Sequence, residues 1–296
     1  MKIVFIGCVK FSYVMLENLL GMNSSIEVVG VVSREKSEFN ADFQSLEPLA
    51  QLAGIPCYLA KGNDQEAMAS WIKILNPDVI YCFGWSFLLH PEILNISEMG
   101  VVGYHPTALP KNRGRHPIIW SLALGLSDTA STFFFMDEGA DSGDILSQDN
   151  IEIDGDDDAG SLYGKLLETA KSQLAKFTND LASGEYQRIP QIHSQANYWR
   201  KRKKADGLID WRMPAQGVNN LVRALTRPYV GAHCLYGDAE KKIWKVEVAS
   251  DRGAVNVEPG KVLSVEGRKV RIKCGVGAVD LIEHSILPLP QVGDYL

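Results

Sequence analysis

The chain has 296 residues, 46% of them hydrophobic and 22% charged, with a formal net charge of −6. That length suggests two domains or one large one, and the composition is that of a globular protein, not of a disordered, collagenous or coiled-coil chain. No apolar run reaches the length of about 18 residues that a membrane-spanning helix needs. The negative charge argues against a purely electrostatic nucleic-acid binder, leaving room only for a local basic patch.

The stretch Lys2–Ile6 is a short, continuous apolar run followed by a helical pattern and no cleavage site. It reads as a first strand buried on both faces, not as a signal peptide. Ser12 is the expected N-cap of a helix running to about Leu20. A second strand is predicted over residues 28–32. A helix over 45–53 follows, ended by Gly54 and Pro56. Residues 64–75 make an amphipathic helix with Met68, Trp71, Ile72 and Leu75 on one face. Further strands are expected at 78–83 and 100–104, a helix with Pro117 in its first turn at 117–124, and a strand of β-branched and aromatic residues at 131–136. Strands alternating with helices imply a doubly wound, mostly parallel sheet.

One long helix is then predicted over 158–184, its apolar stripe reading as core. A polar, basic stretch follows. From about residue 205 the pattern changes to a short helix at 215–225 and several short strands between glycines, which suggests a small β-barrel. The expected organisation is a first domain over 1–190, a linker over 191–204 and a second domain over 205–296. Cysteines stand at 8, 57, 82, 234 and 274 with no metal-ligand spacing, as reduced thiols of a cytoplasmic protein.

Ligands of open parallel sheets bind beyond the carboxyl ends of the strands. Two segments there are chemically loaded, the loop from Gly103 to Pro117 and the loop from Met136 to Leu146. Their His105 and Asp141 could meet at the sheet crest. A carboxylate orients an imidazole so that the ring donates to a developing oxyanion. Taken singly, a His beside a Pro is more often structural, and an Asp-rich, Gly-rich turn is usually just a turn.

Together the two loops resemble those of the formyltransferases that use 10-formyltetrahydrofolate. That family reads N-x-H-P/G-S-L-L-P-K-x-R-G-x-x-P and then D-x-G-x-D-T-G-x-I-L. Its His and catalytic Asp stand 36 positions apart, as His105 and Asp141 do. Phe11, Ser12, Leu16, Glu17, Leu19 and Leu20 match the family's first helix, and Asp210, Trp211 and the stretch from Asn220 to Ala232 match its second domain. The resemblance implies a Rossmann-like sheet with a smaller OB-like barrel. It also implies formyl transfer to a primary amine, with His105 stabilising the oxyanion and Asp141 fixing the ring and accepting the amine proton, directly or through water.

N10-formyltetrahydrofolate enters as co-substrate, and no metal is implied, since the spacing matches no zinc motif. The implied pterin contacts are Trp85, Ser86, Phe87, Leu88 and Leu89 after the fourth strand, with Met136, Gly139 and Ala140 before Asp141; Phe87 and Leu89 read equally well as core. Lys111, Arg113 and Arg115 suit a sugar-nucleotide diphosphate, with salt bridges to surface acids as the alternative. Pro106 and Thr107 on the same loop complete the expected substrate contacts.

Within the family, the loop after the second strand points to nucleotide-linked amino deoxy sugars and hence to surface polysaccharides. It carries Arg34 and Lys36 against Glu35, Glu38 and Asp42, and so would not collect phosphates. The alternatives are methionyl-tRNA formyltransferase and a folate-binding relative without activity. The run from Arg200 to Lys204 is a solvated linker, a diphosphate or folate-glutamate contact, or a tRNA contact. A homodimer is a fair expectation for this family.

One position departs. Where the family has its Asn, two residues before His105, this chain has Gly103. Losing an oxyanion donor typically costs ~10²–10³ in rate. A backbone N–H or water near Gly103 replaces it, Asn112 reaches in, or the chain is a poor relative; the intact remainder of the motif favours an active variant.

Overall fold

The computed structural model describes residues 1–22, 25–36, 41–250 and 256–296. The chain forms two compact units. The first holds Met1–Pro117, Thr129–Ile151 and Gly164–Trp199; the second holds Ile118–Asp128, Glu152–Tyr163 and Arg200–Leu296. Among the described residues no helix is long and apolar enough to cross a membrane.

The first unit is built on a seven-stranded sheet. In chain order the elements up to Trp199 are β1 (Lys2–Ile6), α1 (Lys10–Leu20), β2 (Glu27–Ser33), α2 (Glu47–Leu52), β3 (Cys57–Leu59), α3 (Gln65–Leu75), β4 (Val79–Cys82), α4 (Pro91–Leu94), β5 (Val101–His105), β6 (Arg113–Gly114), α5 (Pro117–Ala123), β7 (Asp128–Phe135), β8 (Ile145–Glu152), α6 (Ala159–Ser183) and β9 (Tyr198–Trp199), of which nearly all of α5 and the first turn of α6 belong to the second unit. The strand order is β3-β2-β1-β4-β5-β7-β8. The apolar runs of β1 and β4 lie parallel at its centre, fully buried, as unbroken hydrophobic strands must. Phe133 of β7 packs against Phe83 and against Phe177 of α6, ring centroids 5.2 and 4.7 Å apart. Buried aromatic pairs of this kind add about 0.5–1.5 kcal/mol each beyond their area.

Four expectations change. Ser12 is the third helical residue of α1 and Val9 is the cap. The Ser12 hydroxyl accepts from Val9 N and donates to Phe83 O. The strand expected at 131–136 runs antiparallel to β5, with Val102 opposite Phe135 and His105 opposite Thr132. Its carboxyl end therefore lies beside the start of β5, and Met136 N donates to Val101 O (2.7 Å). The following loop must fold back to reach His105. β8 has no sequence signature because it is a polar edge strand, half-exposed along most of its length. The stretch expected as a linker is bound along its length: β9 pairs with β6, Tyr198 opposite Arg113 and Trp199 opposite Gly114.

The second unit centres on a five-stranded antiparallel sheet in the order β10-β11-β14-β13-β12, with β10 (Ala232–Tyr236), β11 (Ala239–Ala249), β12 (Val262–Glu266), β13 (Lys269–Lys273) and β14 (Ala278–His284). Helix α7 (Ala215–Leu225) buries Val218, Leu221, Val222 and Leu225, one stripe at helical spacing. Residues 118–128 and 152–163 join this unit, the second of them for a visible reason. Arg223 on α7 donates to the carbonyls of Asp154, Gly155 and Asp157.

The basic run is largely paired. Arg200 forks onto Asp206, Arg202 stacks over Trp120 and donates to Asp206 O, and Lys204 meets Glu240 at 2.6 Å. All five cysteines are free thiols, and only Cys57 is more than slightly exposed.

These pairings set an acid limit. Hydrogen bonds from Arg200 and from Lys203 N hold Asp206 well below the usual carboxylate range, and Lys204 and Lys242 lower Glu240 to about 2. Burial lowers His233. A depressed carboxylate stabilises the fold above its unfolded value and loses that contribution as pH falls toward its folded one. A histidine held below its ordinary value acts with the same sign, because the unfolded chain binds more protons. The melting temperature should fall as pH drops below about 6.5 and more steeply below about 4.5. Added salt should flatten the carboxylate part, since the pairs are exposed. Tryptophan-fluorescence melts across pH would read this; a melting temperature flat between these values would refute it.

Candidate active site

His105 ends β5 and is only 4% exposed. Its Nε2 lies 2.8 Å from the carbonyl oxygen of Asn112, and its Nδ1 lies 3.6 Å from Asp141 Oδ2. The second distance is that of an ion pair, not of a hydrogen bond. Both ring nitrogens therefore face acceptor oxygens. Asp141 Oδ2 accepts from Gly114 N at 2.8 Å. Oδ1 has no hydrogen-bond partner among the described residues, and the side chain is one-fifth exposed. Asp141 itself sits at φ +54°, in the left-handed region. The pair expected from the spacing is thus brought together, by a loop that turns back over the sheet.

The loop around Asp141 is built from its own short contacts. Asp137 Oδ1 accepts from Gly139 N (3.0 Å) and from the Ser142 hydroxyl (2.6 Å). A Cβ at Gly143 would stand 1.8 Å from Phe135 O, so the close approach of the two chains requires glycine there.

The other expected residues divide. Arg113 does not clamp a substrate. It is 1% exposed, and its guanidinium donates to Gln191 Oε1 (2.7 and 3.2 Å) and to the Tyr198 hydroxyl (2.9 Å), with His193 Nδ1 at 3.2 Å. Thr107 is fully buried, its hydroxyl donating to Lys111 O and its carbonyl accepting from Thr132, so its side chain braces the loop instead of facing solvent as a substrate contact would. The carbonyl of Pro106, which is half-buried, accepts from Thr129. Asn112 does not replace the missing amide. Its side chain pairs with Asn197 (3.0 Å), and it serves His105 through its main-chain oxygen. Lys111 and Arg115 remain exposed, and Arg115 reaches Ser86 O at 3.1 Å.

After β4, Trp85, Ser86 and Phe87 are half-buried and Leu88 is exposed. Leu89 belongs to the hydrophobic core with Cys82, Ile93 and Val101, the core alternative of the two expected for it. Gln65 pins this loop, donating to Leu88 O and accepting from His90 N. The Trp85 indole N–H is buried and has no hydrogen-bond partner among the described residues. Arg34, just after β2, stacks over Trp85 and Phe87, a contact that its place in a mixed-charge loop does not signal. Residues 37–40 of that loop lie outside the described residues. Met136 is half-buried, Gly139 exposed and Ala140 half-buried. A Cβ at Gly103 would meet Met136 Cγ at 2.8 Å and Phe134 Cζ at 3.1 Å. The space beside Gly103 where an Asn side chain would begin is filled by Met136.

Sequence reasoning missed Gln191 altogether; a glutamine in a polar stretch carries no local signal. Among the described residues no group of His, Cys, Asp and Glu is arranged to hold a metal.

A formyl transferase family profile matches residues 1–178, and the profile of the formyl transferase C-terminal domain matches residues 201–287. Among solved structures, a variant of HypX from Aquifex aeolicus aligns over 95% of this chain at 16% identity and a TM-score of 0.69; the chain spans 43% of that protein's length. The sugar 3N-formyltransferase WlaRD, solved with dTDP and 5-N-formyl-THF, aligns over 95% of this chain and 97% of its own at 17% identity and a TM-score of 0.68. An N-formyltransferase from Helicobacter canadensis, in complex with folinic acid and dTDP-3-aminofucose, aligns over 96% of this chain and 100% of its own at 16% identity and a TM-score of 0.72. At such identities these likenesses speak to the fold.

Proposed function

The chain belongs to the formyl transferase family, and from that membership we propose that it moves the formyl group of N10-formyltetrahydrofolate to the primary amine of a nucleotide-linked amino deoxy sugar. The observation that carries the reading is the His105–Asp141 pair, 3.6 Å apart on the two loops of the family motif. The acceptor class rests on two further supports. The N-formyltransferases of the same fold were solved with dTDP or dTDP-3-aminofucose. Arg200, Arg202 and Lys204, which a tRNA phosphate would need, are already paired or stacked. Five free thiols suit a cytoplasmic enzyme.

The folate site is read from the apolar faces of Trp85, Phe87 and Met136 and from the indole N–H, which has no partner among the described residues; together they fit a flat heteroaromatic ring carrying acceptor atoms. Its formyl group supplies the electrophilic carbon. The neutral amine attacks that carbon, the bond to N10 breaks with N10 taking a proton, and the new amide nitrogen loses one. Asp141 Oδ1 accepts the amine proton. His105 donates to the charge developing on the formyl oxygen once Nε2 exchanges Asn112 O for it. With Met136 over Gly103, the second donor to that oxygen is a backbone N–H or a water.

The test is formyl transfer from N10-formyltetrahydrofolate to a panel of UDP-, dTDP- and GDP-linked amino sugars, read by mass spectrometry for one added formyl group. Turnover of one sugar is expected. Methionyl-tRNA formylated in preference would move the acceptor to tRNA. Folate binding without turnover of any amine is the second reading that Met136 at Gly103 favours, a relative that holds folate without using it.

A further inference from the structure

Gln191 is 6% exposed and bonds to both catalytic loops at once. Its Oε1 accepts from Arg113 Nε and Nη2 on the His105 loop. Its Nε2 donates to the carbonyl oxygens of Asp141 (3.0 Å) and Gly143 (2.6 Å). We propose that Gln191 is the positioning residue of the His105–Asp141 pair, with Arg113 setting its orientation. It touches no reacting atom.

The physical chain runs from the buried charge outward. A guanidinium at 1% exposure must have acceptors, because a buried unpaired charge is costly. That need fixes which end of the Gln191 amide faces Arg113. A flipped amide would set its NH2 against the guanidinium and its oxygen against two carbonyls. With the oxygen held toward Arg113, the NH2 is aimed at the main chain on either side of Ser142. That holds Asp141 at φ +54°, a conformation that persists in a non-glycine residue only when its surroundings impose it. From there Oδ2 reaches Gly114 N and His105 Nδ1. The same segment steadies the other side of the pair, since Asn197 Oδ1 accepts from Asn112 N, whose residue presents its carbonyl to His105.

This inference rests on the pair being the formyl-transfer site, and the experiment separates the two. Gln191→Glu keeps an acceptor for Arg113 but sets a carboxylate oxygen against the two carbonyls. The variant should fold, hold KM for both substrates within about threefold, and lose kcat by ~10–100-fold, the usual cost of removing a partner that orients a reacting group. If Gln191→Glu does not fold, the double variant Arg113→Met with Gln191→Met removes charge and amide together, so that no unpaired buried charge is left while the carbonyls of Asp141 and Gly143 lose their donor. It should be folded and similarly slow. A folded variant with wild-type kcat overturns the proposal, and so does a loss that follows melting temperature with KM and kcat changing together. A readout without substrate guards against failure of the functional reading. The ring 15N signals of His105, assigned with His105→Asn, should move in Gln191→Glu. Unchanged signals overturn the positioning role even if the wild-type protein formylates no acceptor.

Discussion

Asp141→Asn should lower kcat by ~10²–10⁴-fold, the range for removing a proton-transferring side chain, while folate binding stays near wild type. The substitution is chosen for its geometry. Asn tolerates the left-handed backbone that Asp141 adopts, and its amide oxygen still accepts from Gly114 N, so the loop is kept. What is lost is the negative charge facing His105 Nδ1 and, on the proposed mechanism, the acceptor for the amine proton. Steady-state kinetics with the sugar found in the panel would measure kcat, and quenching of tryptophan fluorescence would follow folate. A kcat within tenfold of wild type would remove Asp141 from the proton-transfer role. His105→Asn run beside it should show a loss in the same range, because both residues act as one unit and their effects do not add.

The second large effect needs no change to any chemical group. Gly143→Ala would place a Cβ 1.8 Å from Phe135 O, and Phe135 cannot yield freely because its N–H donates to Asp144 O at 2.8 Å. The loop must move by an ångström or more, and it carries Asp141 and the carbonyl that Gln191 holds. Displacement of that size typically costs ~10²-fold in rate, with about 1–3 kcal/mol of overpacking strain in stability. Gly164→Ala is the control. It lies within α6 with nothing within 4 Å of the added Cβ, and should leave kcat unchanged with a small gain in stability. If Gly143→Ala behaves like Gly164→Ala, the close approach is not what shapes the loop.

Much of the fold was legible because it is written in local periods. The buried runs of β1, β4 and β5 need both faces covered, and α7 shows its buried stripe at helical spacing. The His105–Asp141 pair was legible for a different reason, its likeness to the family motif, which sets the two residues 36 positions apart. The loop that joins them was misjudged. Nothing in residues 131–136 says whether the strand runs with or against β5, since alternation and composition are the same in either direction. β8 was missed because an edge strand can be as polar as a loop.

The sequence by itself determined the fold class, since that depends on periodicity, and it pointed to the proposed His105–Asp141 pair through a compact motif. Only the tertiary structure decided which charged and polar groups are already engaged. Arg113, Asn112 and Thr107 looked available in the sequence. Arg113 finds Gln191 78 positions away, and Asn112 finds Asn197 85 positions away. A buried polar group must take whatever partner the fold brings to it, and partners so distant leave no trace in the local pattern.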